Sequence, residues 1–256
     1  MEFTGEDTVE AGVRVRGFTV EVDDRVVPGL LWTPEGAVGE RPLVLAGHGA
    51  SDSKRHDSIE ALAHHLVGRQ GFAVLAIDGP VHGDRRADRL ESTPEAFLAF
   101  VGLWSSDPEM PDRMVADWQG ALEAARALPE VGTGPVGYWG LSMGTIIGLP
   151  LVASDPRFEA AVFGLMGRAG PAIGRVTAAA AAVTCPVHFL FQWDDEIFPR
   201  TSSLDLFDDL GSVDKSLHAH PGTHAAVTDE AFAGTLHFLA TRLGRRDRRP
   251  TPEEEP

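Results

Sequence analysis

Val136-Gly137-Tyr138-Trp139-Gly140-Leu141-Ser142-Met143-Gly144-Thr145-Ile146-Ile147 is the stretch on which the reading of this chain turns. The first four residues form an apolar, strand-like run, and Met143 to Ile147 read as the start of an apolar helix. Between them, Gly140 and Gly144 stand two before and two after Ser142, the G-x-S-x-G spacing. A serine at so tight a strand-to-helix turn must take a strained backbone, and small flanking residues let strand and helix approach. The turn lifts the hydroxyl clear of the main chain. The first amides of the helix, unpaired by the helix itself, offer an anion site beside it. The pentapeptide alone is common. Its weight over a structural Gly-Ser turn comes from the strand before it and the helix after it.

Outward from that point, short apolar runs alternate with helical stretches. Strands are expected at 43–46, 72–77, 136–139, 160–163, 187–191 and 215–219, with helices at 58–69, 113–128, 142–153, 203–210 and 229–243. Two antiparallel strands, 13–22 and 25–32, precede them across the turn Asp23-Asp24. The pattern predicts an α/β fold: a mostly parallel eight-stranded sheet with helices on both faces. One domain spans 1–244, and 245–256 read as a charged, flexible tail. Segment 85–112 carries a helix start at Thr93-Pro94-Glu95, and Phe97, Phe100, Val101 and Trp104 share one helical face. It reads either as a small lid or as a helix packed on the core. The connection 166–184 is too short for a large helical cap, so little or no cap is expected.

Composition narrows the function. With 256 residues, 43 % hydrophobic and 23 % charged, the chain can bury a sizeable core. A net charge of −16 argues against nucleic acid or an anionic membrane, both of which require clustered cations. No apolar window of about 18 residues could span a bilayer, and the acidic N-terminus lacks the pattern of a secretory signal. A lone Cys185 excludes an internal disulfide and reads as a small packed residue, which makes the cytoplasm the default compartment. The scarcity of lysine (only Lys54 and Lys215) is read as base composition rather than function.

A serine needs a base within hydrogen-bond reach and an acid to orient that base. In an open α/β sheet such groups gather at the carboxyl ends of strands. After the strand at 187–191 come Asp194, Asp195 and Glu196. Asp195 is preferred as the acid because it sits four residues before Pro199, with Ile197 and Phe198 anchoring the turn. Asp194 is the alternative and Glu196 stands behind it. After the strand at 215–219, His224 follows Pro221-Gly222-Thr223, a loop able to fold over the sheet, and is preferred to His218 and His220 as the base. An oxyanion hole requires two amides. Met143 supplies one and Ala50, in the turn Gly47-His48-Gly49-Ala50, the other. His48 is expected to brace that turn. His48, Trp104, Met166 and Trp193 are candidates for the substrate pocket. The glycine-rich turn lacks the spacing of a phosphate or dinucleotide loop, so no cofactor is expected. Asp78-Gly79-Pro80-Val81-His82-Gly83-Asp84-Arg85 holds a histidine among acids but no convergent second one. It reads as a structural turn beside the pocket, with no metal.

These residues, in the order Ser142, Asp195, His224, resemble the alpha/beta-hydrolase superfamily over about residues 25–243. The short region after Phe163 and the Gly47-His48-Gly49-Ala50 turn are most similar to dienelactone-hydrolase-like and prolyl-oligopeptidase-like serine esterases. The resemblance implies Ser142 as nucleophile, Asp195 as orienting acid, His224 as base, and Ala50 and Met143 as oxyanion donors. It implies a carboxylesterase acting on a small ester without a cofactor. True dienelactone hydrolases use a cysteine where this chain has Ser142, so their substrate is not carried over. Thioester, amide or acyl-transfer chemistry at the same residues is the alternative, and a catalytically silent binding protein the rival. The oligomeric state is left open by the sequence.

Overall fold

Residues 1–86, 94–171 and 173–244 are described by the computed structural model. Parts of three expected regions lie outside them: the tail at 245–256, positions 87–93 of segment 85–112, and position 172 of the connection 166–184. The strands are β1 (Glu2–Glu10), β2 (Val13–Val22), β3 (Arg25–Pro34), β4 (Leu43–Gly47), β5 (Ala73–Ile77), β6 (Val136–Gly140), β7 (Phe158–Gly164), β8 (Val187–Gln192) and β9 (Lys215–His220). Helices α1 (Asp57–Gln70), α2 (Pro94–Ser106), α3 (Met110–Arg126), α4 (Met143–Ser154), α5 (Ile173–Ala182), α6 (Arg200–Asp209) and α7 (Asp229–Leu243) lie between or after them.

The strands form one sheet in the order β1-β2-β3-β5-β4-β6-β7-β8-β9. Strands β1, β2 and β3 are antiparallel, and from β5 to β9 every pairing is parallel. Among the described residues the sheet therefore has nine strands, not eight. The strand absent from the sequence reading is β1, whose nine residues are all exposed. With no buried side, its acidic sequence carries none of the apolar alternation by which strands are recognised. Helix α5 was likewise not anticipated, because its alanine run shows no apolar face in the sequence. Yet only Val176 and Ala180 on it are buried.

Two apolar layers sandwich the sheet. One packs Leu62, Leu66, Leu239 and Leu243 of α1 and α7 against Val44, Val74 and Val162. The other packs Trp118, Ile147 and Leu206 of α3, α4 and α6 against Leu45, Tyr138 and Phe163. The inner parallel strands β4, β5 and β6 are buried on both sides, which explains why they read as continuous apolar runs, whereas the edge strand β9 has no fully buried residue. From β4 the chain leaves toward β5 through α1 on one face. From β6 it leaves toward β7 through α4 on the other face. Between β4 and β6, then, lies the topological switch point, where an open α/β sheet leaves a crevice at its carboxyl edge.

Both lysines have definite positions. Lys215 Nζ donates to the carbonyls of Phe207, Asp208 and Leu210 at the end of α6 (2.9, 3.0 and 2.7 Å), the charge favoured at a helix C-terminus. Lys54 is buried between Asp78 (2.5 Å) and Asp84 (2.7 Å). No helix among the described residues is long and apolar enough to cross a membrane.

On β8 and β9, His188 stacks on His218 with centroids 3.9 Å apart and planes 6° from parallel. His188 is 3 % exposed, its Nε2 has no partner among the described residues, and burial pushes its pKa down to about 3. Such a group is neutral when folded and basic when unfolded. The stability it contributes is complete above about pH 6.5 and is lost as pH falls from there toward its folded value. Near pH 5 the loss comes to about 2 kcal/mol for one histidine. His188→Phe, beside Phe238 at 5.6 Å, removes this liability without stranding a partner. Thermal unfolding near pH 7.5 and pH 5 should show a smaller fall in Tm for the variant than for the wild type. Equal falls would show that another group governs acid unfolding.

Candidate active site

Ser142 sits between β6 and α4 with φ 57 and ψ −117, outside the regions that non-glycine residues favour. Neighbouring bonds hold it there. Its amide donates to the Gly164 carbonyl (3.0 Å), and Thr145 and Ile146 amides donate back to its carbonyl (2.9 and 3.2 Å). Tyr138, fully buried, donates to the Gly144 carbonyl at 2.6 Å. A Cβ on Gly144 would fall 2.7 Å from the Gly47 carbonyl oxygen, so only glycine lets β4 come so near the turn. The glycine therefore has a packing reason, and the strained serine is the consequence of a crowded junction.

His224 Nε2 lies 3.0 Å from Ser142 Oγ, and its Nδ1 lies 2.8 Å from Asp195 Oδ2. The Asp195 side chain is 3 % exposed and the His224 side chain 12 %, which strengthens the polar contacts in a low local dielectric. The other Asp195 oxygen accepts from the amides of Ile197 and Phe198 (2.8 and 2.9 Å), so the carboxylate is fixed at both ends. Asp194 points elsewhere: its side chain is 63 % exposed and 3.9 Å from Arg200.

The loop carrying His224 is stapled to the loop carrying Asp195 by contacts that the sequence did not disclose. Glu196, ranked last among the three acids, accepts from the His224 amide at 2.7 Å, and that bond holds its carboxyl below the usual range. Buried Gln192 donates to the carbonyls of Thr223 and Ala226 (3.2 and 2.6 Å). The amides of Trp193 and Asp194 donate to His220 and Gly222 (2.8 and 3.0 Å). Adjacency of Glu196 to Asp195 was the only available signal. Which acid grips the ring and which the backbone depends on the path of a loop 28 residues away.

Met143 opens α4, so its amide has no intrahelical partner. Ala50 lies in the turn after β4. His48 accepts from the Gly79 amide at Nε2 (2.8 Å), which puts the ring proton on Nδ1, and Nδ1 donates to the Gly49 carbonyl (2.8 Å). That carbonyl belongs to the same trans peptide as the Ala50 amide, so the two point in opposite directions. His48 is 3 % exposed, and burial pushes its pKa down to about 3. It is placed to brace the turn, not to touch a solute.

The remaining pocket candidates separate. Met166 has no exposed surface and belongs to the core, contrary to a pocket-lining reading. Trp104 on α2 is 8 % exposed, stacks on Phe100 (6.0 Å, 20°) and presses against Gly170. The described part of segment 85–112 is thus a helix packed on the core on this side. Trp193 is 46 % exposed, with the Arg200 guanidinium 3.9 Å over its ring. Among the described residues, no group of three histidine, cysteine or acidic side chains is placed to hold a metal ion. Asp78 and His82 are instead tied to Lys54 and to backbone carbonyls.

Residues 27–234 match the model of the Dienelactone hydrolase family. Among solved structures, a cold-adapted esterase from an Arctic intertidal metagenomic library, in a PEG-bound complex, is 43 % identical. It covers 95 % of this chain and 100 % of its own, with a TM-score of 0.83. An acetyl xylan esterase from Paenibacillus sp. R4 (17 % identity, 94 % and 88 % covered, TM-score 0.72) shares the fold. So does a dienelactone hydrolase from Anabaena variabilis (20 %, 90 % and 97 %, TM-score 0.64). No curated protein sequence matches.

Proposed function

The chain belongs to the dienelactone hydrolase family and is a carboxylesterase-like hydrolase, and from that premise we propose that Ser142, His224 and Asp195 carry out the reaction through an acyl-enzyme. The supporting observation is the position of one imidazole, 3.0 Å from a strained serine hydroxyl and 2.8 Å from a buried carboxylate. His224 takes the Ser142 proton as the oxygen attacks the ester carbonyl, and Asp195 stabilises the imidazolium. The developing oxyanion is held by the Met143 and Ala50 amides. On collapse the alcohol leaves with the proton from His224. Water, deprotonated by the same nitrogen, then releases the acid. The substrate is a small ester, and no step draws on a cofactor.

A fluorophosphonate probe tests the assignment. Peptide mapping should place the label on Ser142, and Ser142→Ala should stay unlabelled. A folded wild type that resists the probe would favour a silent binding protein. Side-by-side rates on acyl p-nitrophenyl esters, thioesters and amides should favour the esters. The only cysteine, Cys185, has its thiol pushed up to about 12 by burial, and cytoplasmic residence completes the proposal.

A further inference from the structure

We infer that His82 is a positioning residue for the oxyanion turn: its Nε2–H holds the Ala50 carbonyl and so fixes where the Ala50 amide points. This rests on the reading of Ser142 as nucleophile and Ala50 as donor. His82 has no exposed surface, and its two ring nitrogens each lie 2.7 Å from a carbonyl oxygen, Nε2 from Ala50 and Nδ1 from Pro80. Burial pushes its pKa down, even though both carbonyls and Asp78 pull the other way. A neutral ring has one proton for two oxygens. Ala50 is buried, and its carbonyl has little access to another donor, whereas Pro80 is half-buried and its carbonyl can take water. The proton therefore belongs on Nε2.

The backbone around His82 is built to aim the ring. Val81 has φ 58, an outlier for a β-branched residue, and Gly83 on the other side has φ 46. The ring also lies 5.0 Å from His48 and 6.0 Å from Phe100, centroid to centroid. The two peptide planes flanking the Ala50 Cα are thus each held by an imidazole. His48 grips the Gly49 carbonyl and His82 the Ala50 carbonyl. Donors that stabilise a transition state must be aligned before charge develops, so loosening one plane weakens the transition state more than the bound substrate.

Two variants separate the contacts. His82→Gln keeps a nitrogen near the ε position, and His82→Asn keeps one near the δ position. With a p-nitrophenyl ester, His82→Gln should retain kcat within about threefold, and His82→Asn should lose about 10- to 100-fold in kcat with KM within about twofold. Thermal unfolding of both checks folding. Imidazole nitrogen NMR of the wild type, which should show Nε2 protonated, decides the matter if a variant does not fold. Wild type labelled at Ser142 by a fluorophosphonate, together with undiminished kcat in His82→Asn or an Nδ1–H tautomer, overturns this inference alone. An unlabelled Ser142 overturns the serine reading and this inference with it.

Discussion

Ser142→Ala should lower kcat on a p-nitrophenyl ester by at least about 10⁵-fold, because a lost nucleophile removes the covalent route altogether. Binding should survive, since the oxyanion amides and pocket walls are untouched. The variant should still bind the product acid, should bind a boronic acid only weakly because no hydroxyl is left to add to boron, and should show no burst. Alanine keeps a Cβ at φ 57, so the strain at the turn remains and Tm should change little. Ser142→Gly should be as inactive yet more stable, by about 1 kcal/mol, because glycine takes that backbone without strain. Initial rates and unfolding curves of the three proteins test both halves. Residual hydrolysis above about 1 % of wild type in either variant would remove Ser142 from the mechanism.

The second large effect falls on the acid. Asp195→Asn should cost about 10⁴-fold in kcat, while Asp194→Asn should change it less than about threefold. An asparagine at 195 can offer its amide N–H to His224 Nδ1, which favours the tautomer that cannot accept the serine proton. The fixed carboxylate position, held by the Ile197 and Phe198 amides, prevents a neighbour from substituting. Asp194 is exposed and faces Arg200, so its neutralisation alters only a weak surface pair. Rates for the two single variants, with circular dichroism to check folding, decide between the adjacent acids. A larger loss at 194 than at 195 would reverse the assignment.

The sequence disclosed the layered α/β architecture because parallel strands buried on both faces must be apolar along their length, as Leu43–Gly47 and Ala73–Ile77 are. It located the serine turn because steric crowding between β4 and α4 admits only glycine at position 144. It missed β1 because an edge strand with no buried side leaves no apolar trace. It also gave no place to Lys54, an interior cation between Asp78 and Asp84, a role set by partners 24 and 30 residues away.

What the chain determined by itself was therefore whatever local sterics and periodic burial impose: the run of elements, the strained turn, and the order in which serine, acid and histidine follow their strands. The three-dimensional packing decided which neighbour does what. Asp195 grips the His224 ring, Glu196 the His224 backbone, Met166 goes to the core, and His82 reaches from the structural turn beside the pocket to the Ala50 carbonyl. Hydrogen bonds are directional and short. Their choice among adjacent side chains is made only when two distant loops meet, and residue order alone carries no record of that meeting.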